Sequence, residues 1–337
     1  MMSHSLPQRK LGQNITVSAM GYGAMGLSEF YGDIDTAHAS TMMHKVIDSG
    51  VTLIDTADMY GRGENEKLIG SVLKTLPASV RAQLTIATKC GIDRNNTSGY
   101  NRNINNHPEY IKQCCDDSLA RLGIEQIDLF YIHRLDPNAA IEDTMQTLAE
   151  LVQAGKIAHV GLCEVSAPVL QRAHAVHPVD VVQTEYSLWT RHIEDDSVLL
   201  LLKELNIGLV PYSPLGRGFL TGKIQNKNEL AENDFRRTNP RFQDDNLEHN
   251  KRLLQALEPM TVKYNCTMGQ IALAWLLAQW EHIVPIPGTK SEKYLNENNQ
   301  ACQLKLDTAD IQILNELKNH INIQGERYTP EGMKGIF

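Results

Sequence analysis

The feature that most constrains this chain is an alternation of short apolar runs with amphipathic stretches. The runs are Thr52–Asp55, Leu84–Thr88, Asp128–His133, Ile157–Leu162, Val179–Gln183, Ile207–Pro211 and Ile283–Ile286, and another near Val17–Gly21 would come first. Their apolar residues are consecutive, as in strands covered on both faces. Between them lie helical spacings: Ile111, Cys115, Leu119 and Leu122 end at Gly123, and Ile141, Met145, Leu148 and Val152 stop before Gly155. Eight strands alternating with helices predict parallel βαβ units in an α/β fold. No Pro/Gly/Ser-rich linker divides the 337 residues, so one domain spanning 1–337 is expected, a size that α/β barrels reach undivided. Residues around Arg9–Val17 predict a small hairpin ahead of the barrel. Ser213 to about Asp245 predicts a long irregular loop, a type often functional. Little pattern follows Lys318.

Charge and composition narrow the function. A net charge of −8 argues against a nucleic-acid partner, which would need a basic face. Met1–Gly12 lacks the apolar core of a leader, and the most apolar helical stretch, Ile271–Trp280, reads as a packed core helix, so no membrane association is expected. The six cysteines show no CxxC spacing and suit reduced thiols in a cytoplasmic protein; Cys90 and Cys163 are expected to be buried and inert. The sequence leaves the oligomeric state open.

Gly21, Gly23 and Gly26 match the G-x-G-x-x-G dinucleotide fingerprint, but its physics requires a helix to open inside the motif. Here helical spacing begins only near Thr36, and no acidic residue stands at the end of a second strand about twenty positions on. The glycines are better read as room for close backbone approach to a ligand at the top of the first strand.

Four ionisable residues carry the chemical signal. Asp55, Lys89 and His133 end the second, third and fourth strand candidates, and Tyr60 follows Asp55 by five positions. In a (β/α)8 barrel these ends share one mouth, where active sites sit. A free phenol has a pKa near 10 and is a poor acid at neutrality; a neighbouring ammonium is expected to lower it. With Asp55 holding Lys89, and His133 beside the same oxygen, the set can donate a proton to an oxygen gaining negative charge. A metal-dependent hydrolase or lyase finds no His-x-His or carboxylate cluster, and no metal is expected.

The segments around these residues resemble the aldo-keto reductase superfamily. Gly50–Gly61 is similar to the family signature around its Asp and Tyr. Ile86–Lys89 and Leu129–His133 resemble its Lys and His segments, and Val182–Leu188 and Pro211–Gly218 also fit. Phe235–Phe242 is similar to the subgroup of perakine and pyridoxal reductases. The resemblance implies a TIM barrel with a short N-terminal hairpin and extra helices and loops. It also implies NADPH-dependent reduction of a small-molecule carbonyl, with Asp55, Tyr60, Lys89 and His133 catalytic. For the cofactor it implies Tyr212 against the nicotinamide and Gln183 at the carboxamide. Ser213, Leu215, Gly216 and Arg217 would wrap the pyrophosphate, Lys290 and Ser291 hold the 2′-phosphate, and Glu297 and Asn298 meet the adenine; Gly23, Met25 and Asp55 complete the cofactor set. Met25, Phe30, Tyr31, Met59, Trp189 and the loop from Arg217 would wall the substrate. Two departures stand out: Cys163-Glu164 replaces the usual Ser-Asn or Ser-Glu, and Tyr294 replaces a common Arg, which weakens a 2′-phosphate site. A cofactor-binding regulatory subunit, resembling potassium-channel β subunits, is the alternative.

Overall fold

The computed structural model describes residues 6–32, 34–94 and 103–336; the stretch Met1–Gly12, read above for a leader, falls partly outside them. Two antiparallel strands, β1 (Gln8–Leu11) and β2 (Ile15–Ser18), form the expected hairpin. A parallel sheet follows: β3 (Tyr22–Gly23), β4 (Leu53–Asp55) and β5 (Thr85–Cys90), then, past the small pair β6 (Ile92–Asp93) and β7 (Asn103–Ile104), β8 (Ile127–Ile132), β9 (Ile157–Cys163), β10 (Val181–Glu185) and β11 (Gly208–Tyr212). The first barrel strand is therefore Tyr22–Gly23 rather than Val17–Gly21, because Val17 is spent on the hairpin.

The eighth run, Ile283–Ile286, closes the barrel without becoming a regular strand. Val284 N–H donates to the Leu209 carbonyl at 3.0 Å, Ile286 N–H to Pro211 at 3.2 Å, and Gly21 N–H to Pro285 at 2.9 Å. Pro285 and Pro287 have no N–H to give, which limits this segment to a few ladder bonds. The TIM-barrel expectation holds, with α1 (Thr36–Asp48), α2 (Glu64–Leu73), α3 (Ala78–Arg81), α4 (Pro108–Leu122), α5 (Ile141–Gln153), α6 (Ala167–Val176), α7 (Val198–Leu205), α8 (Asp244–Tyr264), α9 (Met268–Gln279), α10 (Glu292–Gln300) and α11 (Thr308–His320) around it. The helical spacings read in the sequence are α4, which ends at Gly123 in the left-handed conformation, and α5. Ile271–Gln279 falls in α9, buried along most of its length, and Trp280 is the residue that ends the helix.

Side-chain alternation then decides what faces the barrel interior. Leu53, Ala87, Leu129, Tyr131, Cys163, Val181, Val210, Val284 and Ile286 form the inner core, closed at its floor by Leu11, Ile15 and Val17 of the hairpin. Gly161 is required there: a Cβ would lie 2.2 Å from the Tyr131 ring. Successive residues of a strand point to opposite faces, so each inward position recurs two residues later, at the mouth. Leu53 is thus followed by Asp55, Ala87 by Lys89, Tyr131 by His133, Val181 by Gln183 and Val210 by Tyr212.

Candidate active site

These mouth residues converge. Lys89, fully buried, donates from Nζ to Asp55 Oδ1 at 2.5 Å and to the Thr56 carbonyl at 2.6 Å. Gln183 Nε2 donates to the other Asp55 oxygen at 2.7 Å. The Lys89 ammonium lies 5.1 Å from the Tyr60 ring centre, and the His133 ring meets Tyr60 edge-on with centres 5.8 Å apart. Tyr60 reaches this position through a turn in which Gly61 and Arg62 both adopt positive φ.

Burial dominates the electrostatics. It lowers the Lys89 pKa, but Asp55 and Tyr60 raise it by more, so the ammonium persists. Burial likewise pushes the Asp55 carboxyl up, against the pull of Lys89 and Gln183. For Tyr60 the expected lowering is corrected: Lys89 does lower the phenol, but burial outweighs it and the net value is about 12. The phenol is held in its proton-bearing form. Cys163, pushed up to about 12 by burial, and Cys90, pushed well above its ordinary value, are buried thiols.

Asp55, Tyr60 and His133 open into one cavity of about 870 Å³. Gly23, Met25, Gln183, Tyr212, Ser213, Leu215, Arg217, Lys290, Ser291, Glu297 and Asn298 line it too. Two residues, Gly216 and Trp189, stand elsewhere than expected. Gly216 does not face the cavity; a Cβ there would lie 2.6 Å from the Trp189 ring. Trp189 belongs to the core, stacked on Phe219 at 4.1 Å, and is 2% exposed. Arg217 borders the cavity, but its guanidinium pairs with Glu185 at 2.9 Å and donates to the Arg327 carbonyl at 2.6 Å. Lys290 donates to the carbonyls of Tyr31 and Gly32. Ser291 starts α10 without a side-chain cap.

Sequence reasoning missed the outer wall. The loop from Ser213 is organised into short 3-10 turns, and the tail past Lys318 returns over the mouth. Asn250 pins the tail by exchanging two hydrogen bonds with the Gln324 backbone, and Asn239 donates to the Arg327 carbonyl at 2.8 Å. Arg327 then meets Glu164 at 2.8 and 3.2 Å, while Tyr212 donates its hydroxyl to Glu164 at 2.7 Å. Burial opposes ionisation of Glu164, but Arg327 and Arg134 hold its carboxyl down at about 2. Its φ of 52° is a left-handed conformation uncommon for such a residue, costing of order 1–3 kcal/mol that these contacts offset. The dipeptide Cys163-Glu164 was the available signal, visible as a departure but without a partner.

The chain matches the aldo/keto reductase family over residues 19–319. It is 43% identical, over 99% of its length and 97% of the relative's, to aldo-keto reductase yakc [NADP(+)] of Schizosaccharomyces pombe. This chain belongs to the aldo/keto reductase family. A probable aldo-keto reductase of Glycine max is 42% identical over 95% of this chain and 91% of its own. Among solved structures, the glycerol dehydrogenase of Gluconobacter oxydans superposes with a TM-score of 0.83 at 26% identity, covering 98% of this chain and 99% of that one. An aldo-keto reductase of Bacillus halodurans, in its holo form, gives 0.77 at 25% identity, covering 97% and 99%. The family is one of oxidoreductases.

Proposed function

We propose that this family member reduces aldehydes or ketones to alcohols with NADPH, with Tyr60 as the general acid. The observation that carries the reading is the junction of phenol, ammonium, carboxylate and imidazole at one end of a cavity long enough to continue to Lys290 and Asn298. The donor set fits a phosphorylated dinucleotide. An aromatic ring, Tyr212, lies at the catalytic end, and an ammonium and a hydroxyl lie at the start of α10. In the proposed assignment Gln183 meets the carboxamide, Ser213 and Leu215 border the pyrophosphate, Lys290 and Ser291 take the 2′-phosphate, and Glu297 and Asn298 the adenine. When bound, NADPH supplies hydride to the carbonyl carbon.

The chain's own residues do the rest. Tyr60 keeps its proton at neutral pH and donates it to the carbonyl oxygen as negative charge develops there. The Lys89 ammonium, fixed by Asp55 and Thr56, stabilises the phenolate left behind. His133 orients the oxygen from the edge of the Tyr60 ring. Gln183 holds the second Asp55 oxygen, so the carboxylate cannot swing away from Lys89.

The test is turnover of para-nitrobenzaldehyde with NADPH, followed by loss of reduced-nicotinamide absorbance. Absence of turnover would leave cofactor binding without reduction, the regulatory alternative. A side-by-side titration should show NADPH binding more tightly than NADH; equal affinities would end the 2′-phosphate assignment.

A further inference from the structure

Among the described residues, four arginines line the cavity: Arg94, Arg134, Arg217 and Arg236. Three of them meet carboxylates. Arg94 pairs with both oxygens of Glu29 at 2.8 Å, Arg217 with Glu185 at 2.9 Å, and Arg236 with Asp234 at 2.5 Å. Arg134 differs. It is 4% exposed, and among the described residues it forms no ion pair. Its Nη1 donates to the carbonyl of its own neighbour His133 at 2.7 Å, and its Nε makes no hydrogen bond. Glu164 lies close enough to feel its charge but is occupied by Arg327 and Tyr212.

A buried guanidinium is costly unless an anion completes it. The surroundings hold Arg134 ready for one. Its carbonyl accepts a hydrogen bond from Asn106 Nδ2 at 3.1 Å, so its backbone is fixed. Its charge interacts with Tyr212, Glu164 and Tyr328, and it lines the same cavity as His133 and Tyr60.

We propose that Arg134 anchors a carboxylate carried by the substrate, so that the preferred substrates are aldehydes or ketones bearing a carboxylate a few carbons from the carbonyl. Among the described residues the Arg134 guanidinium has no ion-pair partner of its own and keeps an unbonded Nε, so it has room for a monoanion. The planar fork of the guanidinium matches a carboxylate through two parallel hydrogen bonds. Binding there fixes the distance between the anion and the carbonyl, and so presents the oxygen to Tyr60. This inference rests on the carbonyl-reducing reading of the same cavity.

The experiment compares para-formylbenzoate with its uncharged methyl ester, and adds the R134M and R134K variants. The wild-type enzyme should prefer the acid in kcat/KM. R134M should cut that preference about ten- to hundredfold, chiefly through KM, the loss expected for a charge-assisted hydrogen-bonded pair. R134K, which keeps the charge without the fork, should fall between. Wild-type enzyme that treats acid and ester alike overturns the proposal, even if neither variant folds. So does an R134M whose NADPH affinity falls as far as its kcat/KM for the acid, since the guanidinium would then serve the cofactor. Failure to reduce either compound would instead count against the carbonyl-reducing reading itself.

Discussion

At the inner end of the cavity, Lys89 and Asp55 stand on β5 and β4, which are hydrogen-bonded to each other. At the outer wall, Glu164 at the end of β9 is satisfied by Arg327, which no regular element carries. Both pairs are buried, yet the first is assembled by sheet register and the second by the docking of a tail. The inner pair is therefore as rigid as the barrel. The outer pair depends on Asn250, Asn239 and Arg217 to hold the segment that bears it. On the proposed reading, the chemistry stands where strands fix geometry, and the boundary of the ligand space on loops.

The sharpest test of this contrast is at the inner end. Tyr60→Phe keeps the ring and removes the proton; reduction should fall roughly a thousandfold, within the range usual for losing a positioned acid, while NADPH binding is retained. Near-normal turnover would remove Tyr60 from its role. Lys89→Met should impair reduction similarly and also cost about 3–5 kcal/mol in denaturant unfolding, because Asp55 would be left buried without its cation. If stability were unchanged, the inner pair would not be the rigid element described.

Arg327→Met tests the outer wall. It should destabilise by about 3 kcal/mol or less, since the tail can open and hydrate Glu164, and it should raise KM more than it lowers kcat. A larger effect on kcat would make the wall part of the chemistry. Acid offers a gentler probe. Glu164 is held at about 2 against an ordinary 4.5, so it binds fewer protons folded than unfolded. Its contribution to stability is present above 4.5 and is lost as pH falls towards 2. In Glu164→Gln this part of the acid-induced drop in melting temperature should vanish. The smallest effect is expected from Lys223→Met. The Lys223 ammonium lies 3.9 Å from the Tyr294 ring centre, joining the long loop to α10 at the cavity's edge. Its loss should speed NADPH release about two- to fivefold, in keeping with roughly 0.5–1 kcal/mol for an exposed contact of this kind.

The same contrast explains what could be read without coordinates. Asp55, Lys89 and His133 were legible because each ends an apolar run, and alternation along a strand turns that position into a direction. The convergence with Gln183 and Tyr212 follows from one parity rule. Trp189 and Gly216 were misplaced because they sit in turns, where no period says which way a residue faces; Gly216 makes room for Trp189 in the core. Arg134 beside His133 gave no signal, since an arginine in a sequence does not announce that its nearest carboxylate, Glu164, is taken by Arg327. The Glu164–Arg327 pair joins positions 163 residues apart through an aperiodic tail, and only the folded chain brings them together.

The hairpin seals the barrel floor with Leu11, Ile15 and Val17, whereas Tyr328 and Thr329 stand at the opposite entrance. The two faces of the barrel are thus unequal as handles. Tethering this enzyme to a bead or electrode through the hairpin side would leave the doorway unobstructed. Anchoring it through the residues beyond Gln324, or trimming them, would pull on the door frame itself.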